Sequence, residues 1–148
     1  MKNKTNNTHC VITKGKENNI VITLEGYVSK TRPVTLREVD NSEGKTTVIA
    51  NASVNIVNQN YAIDYLLKTL AVDESAIYTS RSDEDTYHTL KVTGFNAIAQ
   101  RMDKIMKAGN RVVIVGNASV NQWQSNDGVD HQEVGITIQD FWVTHFAN

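Results

Sequence analysis

The stretch Tyr87–Trp123, YHTLKVTGFNAIAQRMDKIMKAGNRVVIVGNASVNQW, decides the fold because its hydrophobic period changes twice. Tyr87–Phe95 alternates between apolar and polar residues, which is typical of a half-buried β-strand. Asn96–Ala108 has apolar residues at helical spacing, and Gly109 behind it is a stop signal. Alternation returns in Arg111–Trp123. The stretch therefore predicts a strand, a helix and a second strand.

The pentapeptide NASVN closes this stretch at 117–121 and also occurs upstream at 51–55. In both copies small or β-branched residues alternate with amides and a hydroxyl, so each copy predicts a half-buried strand. We expect the apolar set to face inward and the polar set to face outward. The flanking sequences diverge immediately after each copy, which argues against a duplicated domain.

Four further segments complete the pattern. Ile20–Tyr27 and Thr46–Val57 alternate and predict two strands ahead of the central stretch. Asn60–Leu70 carries apolar residues at helical spacing and predicts a helix between them and that stretch. Val134–Val143 follows an Asn-Asp-Gly hairpin signal and predicts a last strand.

The order of these segments predicts an all-β protein with helices. Five strands with a helix between the third and the fourth fit a small Greek-key barrel, the OB-fold. The helix at 60–70 is then an extra insertion between the second and third strands. We expect a flexible N-terminal arm over residues 1–19, which are polar and rich in Asn and Lys, and one OB-fold domain over 20–148.

Composition bounds the classes of protein that the chain can belong to. Its 148 residues suit one domain, and a net charge of −1 gives no global field that would attract a polyanion. No stretch approaches the roughly 18 apolar residues that a membrane span needs, and the N-terminus does not read as a secretory signal. The one cysteine, Cys10, forms no intramolecular disulfide. We expect a cytoplasmic protein with no membrane partner.

Catalytic motifs are missing from the sequence. It has no phosphate-binding glycine loop, no CxxC pair and no nucleophile elbow, and its four histidines lack ligand spacing. We therefore predict no enzyme activity, no catalytic residue, no cofactor and no metal site.

Several short motifs follow one another in a characteristic order: an aromatic before histidine, a glycine in the strand, a helix ending near lysine and glycine, a valine-rich strand ending in glycine, a tryptophan and an Asp-Gly turn. They are Tyr87-His88, Gly94, Lys107-Ala108-Gly109, Val113–Gly116, Trp123 and Asp127-Gly128. In this order and spacing the chain resembles the bacterial single-stranded DNA-binding proteins, over roughly residues 20–142.

This resemblance implies an OB-fold that stacks unpaired bases on outward aromatic side chains and self-associates, often as a tetramer. At the family's aromatic positions the chain has Tyr87 and Trp123, but Thr93 stands at a third. It also carries an insertion around 58–85 and ends in WVTHFAN, where the family has a long tail with an acidic-hydrophobic tip. These departures suggest a divergent member, such as those on plasmids or phages.

The functional prediction is that the protein binds single-stranded DNA largely independently of sequence, through aromatic stacking and contacts of Lys and Arg with phosphates. It would coat or protect the strand in replication, recombination or DNA transfer such as conjugation. The candidate DNA-binding residues are Tyr27, Lys30, Arg32, Lys45, Asn51, Asn55, Tyr87, Lys91 and Trp123. An alternative is an OB-fold module for protein–protein interaction. RNA is a further possible ligand, and the arm 1–19 could contact a neighbouring subunit on DNA.

Other polar and aromatic residues are interpreted structurally. His88 has inward parity and is expected to be a hydrogen-bonded core histidine. Tyr61 and Tyr65 are expected to hold the extra helix against the barrel, and Phe141 and Trp142 to lie in the core or an interface. The remaining polar residues of the NASVN strands are expected to face outward: Ser53, Asn117, Ser119 and Asn121.

Overall fold

The computed structural model describes residues 8–15, 19–82 and 84–147. Within them, eight strands form one sheet, together with two α-helices and a 3-10 turn at Glu74–Ala76. The elements are β1 (Cys10–Lys14), β2 (Ile20–Val28), β3 (Thr35–Asp40), β4 (Thr46–Val57), α1 (Asn60–Leu70), β5 (Tyr78–Arg81), β6 (Thr86–Phe95), α2 (Ala97–Ile105), β7 (Arg111–Gln124) and β8 (Asp130–His145). Three strands are present beyond the five that were predicted: β1, β3 and β5.

Five of the strands close into a ring. β2 pairs with β4 on one side and with β7 on the other, β4 pairs with β6, and β7 pairs with β8, all antiparallel. A parallel pairing of β6 with β8 completes the ring. Each of these strands thus pairs with two others of the ring, and the arrangement is consistent with an OB-fold.

The three additional strands lie outside this ring. β1 pairs with β2, β3 pairs with β4, and β5 pairs with β6. β1 falls inside the segment 1–19 that was expected to be a flexible arm, whereas residues 1–7 and 16–18 lie outside the described residues.

The core follows from the alternation within the ring strands. Each contributes inward aliphatic side chains that are almost completely buried, including Ile22, Leu24, Val54, Leu90, Ile114 and Ile136. Met102 of α2 and Leu66 of α1 are fully buried in the same core. Apolar burial of this kind contributes about 25 cal/mol per Å², so it is the main favourable term in folding.

The predicted role of the two tyrosines in α1 is wrong. Tyr61 is 91% exposed and Tyr65 is 46% exposed. The helix packs instead through Ile63, Leu66 and Leu67, which are buried. Their spacing of three and four residues gives a single apolar stripe, and the tyrosines lie off that stripe.

His88 is buried, with only 4% of its surface exposed, so the prediction of a hydrogen-bonded core histidine is confirmed. Its Nδ1 lies 3.0 Å from Oγ1 of Thr79, and its Nε2 lies 3.1 Å from Oδ1 of Asn60. Burial lowers the pKa of His88, so the neutral ring is the favoured form, with one nitrogen donating and the other accepting. His88 therefore connects β6 to β5 and to the start of α1.

Candidate nucleic-acid interface

A groove with a volume of about 630 Å³ crosses the outer face of β4 and β6. Its floor includes Asn51, Ser53, Thr89 and Lys91. Three segments form its walls. The first is the loop after β2, the second runs from the 3-10 turn into β5, and the third is the hairpin between β7 and β8. The wall residues are Thr31, Arg32, Pro33, Ser75, Ala76, Tyr78, Trp123, His131, Gln132 and Glu133.

Pairs of polar residues order the floor of the groove. The register places Asn51 opposite Thr93 and Asn55 opposite Thr89. In each pair the threonine hydroxyl donates to the amide oxygen over 2.7 Å. Because these oxygens accept hydrogen bonds within the protein, the amide NH2 groups are what the asparagines can offer to a ligand such as a phosphate.

Ser53 lies on the outer face with Asn51, as predicted, but it is covered there and is only 7% exposed. Its backbone N–H donates to the carbonyl oxygen of Arg32, and its own carbonyl accepts from the N–H of Ser29. The loop after β2 therefore lies over Ser53 and covers it. The hydroxyl of Ser29 accepts from the backbone N–H of Thr31 and of Arg32, at 3.2 and 3.1 Å, which fixes the turn that carries Arg32.

Two of the predicted cations reach the groove. Arg32 lines it from the loop, and Lys91 is exposed on β6 with the register partner Ser53. Lys30 and Lys45 are also exposed but lie in adjoining loops. Among the described lining residues Glu133 carries the negative charge, so the groove is a local site for an anionic chain in a protein with a net charge of −1.

Trp123 supplies an aromatic surface at one end of the groove. It is 49% exposed, and it stacks on His131 with ring centroids 5.2 Å apart and an interplanar angle of 16°. The two residues are register partners across β7 and β8, which explains their contact. His131 covers one face of the indole and holds its orientation.

The other two predicted aromatics occupy different surroundings. Tyr27 is half-buried beneath Arg111, whose guanidinium carbon lies 5.3 Å from the ring centroid and whose Nη1 donates to the phenolic oxygen. The hydroxyl of Tyr87 donates to Oδ2 of Asp85 over 3.4 Å. The groove thus brings together Arg32, Asn51, Lys91 and Trp123, while Tyr27, Lys30, Lys45, Asn55 and Tyr87 lie beyond its lining.

Sequence reasoning did not select two residues of the groove. Tyr78 is 69% exposed on β5 and lines the groove with Lys91, and His131 lines it beside Trp123. The signal for β5 was the short run Ile77-Tyr78-Thr79, which is rich in strand-forming residues. For His131 the signal was its place in the strand that follows the Asp-Gly turn.

Acidic residues mark the far side of the hairpin. A second depression of about 520 Å³ shares Trp123 and His131 with the groove but is also lined by Asp73 and Asp130. A hydrogen bond from Ser75 lowers the pKa of Asp73, so this carboxylate is charged at neutral pH. Phosphates are therefore favoured on the side of Arg32 and Lys91 and disfavoured on the side of the aspartates.

The described residues contain neither a metal-binding cluster nor a helix that could span a membrane. Over residues 8–15, 19–82 and 84–147, no group of three or more His, Cys, Asp or Glu side chains is arranged to hold a metal ion. In that same part of the chain, no helix combines the length and apolar character required to cross a bilayer.

A closed Greek-key barrel with a cationic and aromatic outer groove is typical of OB-fold proteins that bind oligonucleotides. The comparison with protein families identifies which group of such proteins the chain belongs to. The model of the single-strand binding protein family matches residues 47–143, and the chain belongs to this family. The resemblance seen in the sequence is thereby confirmed, and membership places the chain among non-enzymatic DNA-binding proteins.

Three solved structures are similar to the chain at low sequence identity. A Plasmodium falciparum SSB in complex with ssDNA is 14% identical, with a TM-score of 0.56 over 91% of this chain and 100% of that one. A deletion mutant of the Thermus aquaticus single-stranded DNA binding protein is 11% identical, with a TM-score of 0.52 over 90% of this chain and 46% of that one. The SSB domain of a Synechococcus sp. protein is 16% identical, with a TM-score of 0.49 over 85% and 93% of the two chains. No curated protein sequence matches the chain.

Proposed function

We propose that this protein binds single-stranded DNA largely independently of sequence and coats it. The observation that carries the proposal is the groove on β4 and β6, in which Arg32, Lys91, Asn51 and Trp123 meet in a member of the single-strand binding protein family. The chemistry of a single strand matches this set, because every nucleotide offers a phosphate and an exposed base face.

Each group has a distinct task in the proposal. Arg32 and Lys91 neutralise phosphates and release counterions, and the NH2 group of Asn51 donates to a phosphate oxygen. Trp123 stacks a base on the face that His131 does not cover. Stacking and phosphate contacts do not read the edges of bases, so the binding tolerates any sequence.

The predicted residues beyond the groove extend this path. Tyr27, Asn55 and Thr89 are register partners in one row across β2, β4 and β6, and Tyr87 shares the outer face with Thr89. Lys30 and Lys45 add cations in the adjoining loops. In the proposal, these residues contact the parts of a bound DNA strand that extend beyond the groove. Replication, recombination and DNA transfer are the settings in which such a coat serves, and self-association along the strand is part of the proposal.

Salt titration tests the proposal, with the fluorescence anisotropy of a labelled oligo-dT as the readout. Affinity is expected to fall linearly in a plot of log K against log salt, and Lys91→Gln is expected to bind more weakly with a slope shallower by about 0.7. The matched control is Lys104→Gln, which removes an exposed lysine of α2 away from the groove and is expected to leave both quantities unchanged.

Two outcomes would contradict the proposal. One is the absence of salt-sensitive binding to oligo-dT, which would leave the protein-interaction module as the alternative. The other is equal affinity for oligo-dT and for a duplex of the same length, because a duplex hides the base faces that the groove is proposed to contact.

A further inference from the structure

Tyr78 is an exposed aromatic residue on β5, which is not one of the five strands that close the ring. β5 is only four residues long and pairs with the edge of β6 that faces away from β4. In the register Tyr78 is opposite Thr89, so both side chains point to the same face of the sheet, the face of the groove. With 69% of its surface exposed, the Tyr78 ring contributes little to the core.

Exposure alone would not make Tyr78 a binding residue, as Tyr61 shows. Tyr61 is 91% exposed on α1, but it is not among the residues that line the groove. Tyr78 differs because it shares the groove with Arg32, Lys91 and Trp123. The groove therefore combines two cations with two exposed aromatic surfaces, a set suited to a chain that alternates phosphates with flat bases.

The strand that carries Tyr78 is firmly attached. Thr79, the next residue, bonds through its hydroxyl to Nδ1 of the buried His88, and the other ring nitrogen of His88 bonds to Asn60 at the start of α1. Four backbone register pairs join β5 to β6, from Tyr78↔Thr89 to Arg81↔Thr86. The backbone that carries the ring is therefore held in position before a ligand arrives, which lowers the entropic cost of binding.

We propose that Tyr78 forms a second base-stacking subsite, which takes a different unpaired nucleobase from the one at Trp123. The inference rests on the proposed function and adds a residue and a geometry to it. Tyr78 is on β5 and Trp123 is on β7, and both residues line the groove. In the proposal each ring offers its own face, so a strand lying in the groove contacts the two rings through separate bases.

The experiment compares three variants for their affinity toward labelled oligo-dT at one fixed low salt concentration. Tyr78→Ala is expected to bind about 5- to 150-fold more weakly, the range that loss of one stacked base produces. Tyr78→Phe keeps the ring and is expected to bind like the unchanged protein. Tyr61→Ala removes an even more exposed tyrosine outside the groove and is also expected to bind normally. Circular dichroism melts verify that each variant is folded.

A double variant tests whether the bases are separate. If Tyr78 and Trp123 stack different bases, the fold-losses of Tyr78→Ala and Trp123→Ala multiply in the double variant. A double variant no weaker than Trp123→Ala alone would overturn the second subsite. So would normal binding by Tyr78→Ala while Trp123→Ala is weakened, and this result would leave the proposed function intact. If the unchanged protein shows no salt-sensitive binding to oligo-dT, the proposed function itself has failed.

Discussion

Trp123→Ala is expected to bind single-stranded oligo-dT about 5- to 150-fold more weakly than the unchanged protein, which corresponds to the 1–3 kcal/mol of one stacked base. The indole is 49% exposed at the end of the groove, and His131 already holds it in place. Replacing Trp123 therefore removes an aromatic surface that is already positioned to accept a base. Anisotropy titrations of a labelled oligonucleotide measure the change directly.

The chain provides a closely matched control for this variant. Trp142 is 51% exposed on β8 but does not line the groove, so Trp142→Ala removes a side chain of the same type and nearly the same exposure. It is expected to leave the affinity for oligo-dT unchanged. Equal losses in the two variants, with both proteins folded, would show that the groove is not the binding surface.

Gly116→Ala is expected to have the largest effect on stability, with a loss of about 1–3 kcal/mol or more in the free energy of unfolding. A Cβ at this position would lie 2.3 Å from the carbonyl oxygen of Thr137 and 2.8 Å from a methyl carbon of Ile136. The first contact is with backbone, which cannot move aside as a side chain can. β7 also changes register against β8 between Val115 and Gly116, so the added methyl would disturb the pairing where it is already irregular.

Denaturant unfolding measures this loss, and Gly135→Ala is its control. Gly135 lies on β8, but a Cβ there would meet as its nearest neighbour the side-chain nitrogen of Asn121, at 3.4 Å. That side chain can turn away, so Gly135→Ala is expected to cost much less. A Gly116→Ala protein as stable as the unchanged one would mean that β7 and β8 are not paired as described.

The strands that sequence patterns predicted are those that bury one face in the core. β2, β4, β6, β7 and β8 alternate because each has an inner and an outer side. β3 has exposed residues throughout and β5 has only four residues, so neither leaves an alternating pattern. Their positions depend on pairing with β4 and β6, which is a long-range property that local periodicity does not contain.

The candidate site, like the fold, was predictable from the sequence only where local alternation determines which face a residue is on. Parity correctly indicated the outer face for Lys91 and Trp123, and the resemblance to a known family selected Trp123 among the aromatics. Parity did not show that Arg111 covers the ring of Tyr27, since Arg111 comes from a neighbouring strand more than eighty residues away. Nor did it show that the loop after β2 buries Ser53, or that β5 brings Tyr78 to the groove.

The most direct test of the central claim uses the fluorescence of the two tryptophans separately. Trp142→Phe leaves Trp123 as the emitter, and Trp123→Phe leaves Trp142. Addition of oligo-dT is predicted to quench the emission of Trp123, with recovery at high salt, and to leave the emission of Trp142 unchanged. Quenching of Trp142 without quenching of Trp123 would contradict the placement of single-stranded DNA in the groove.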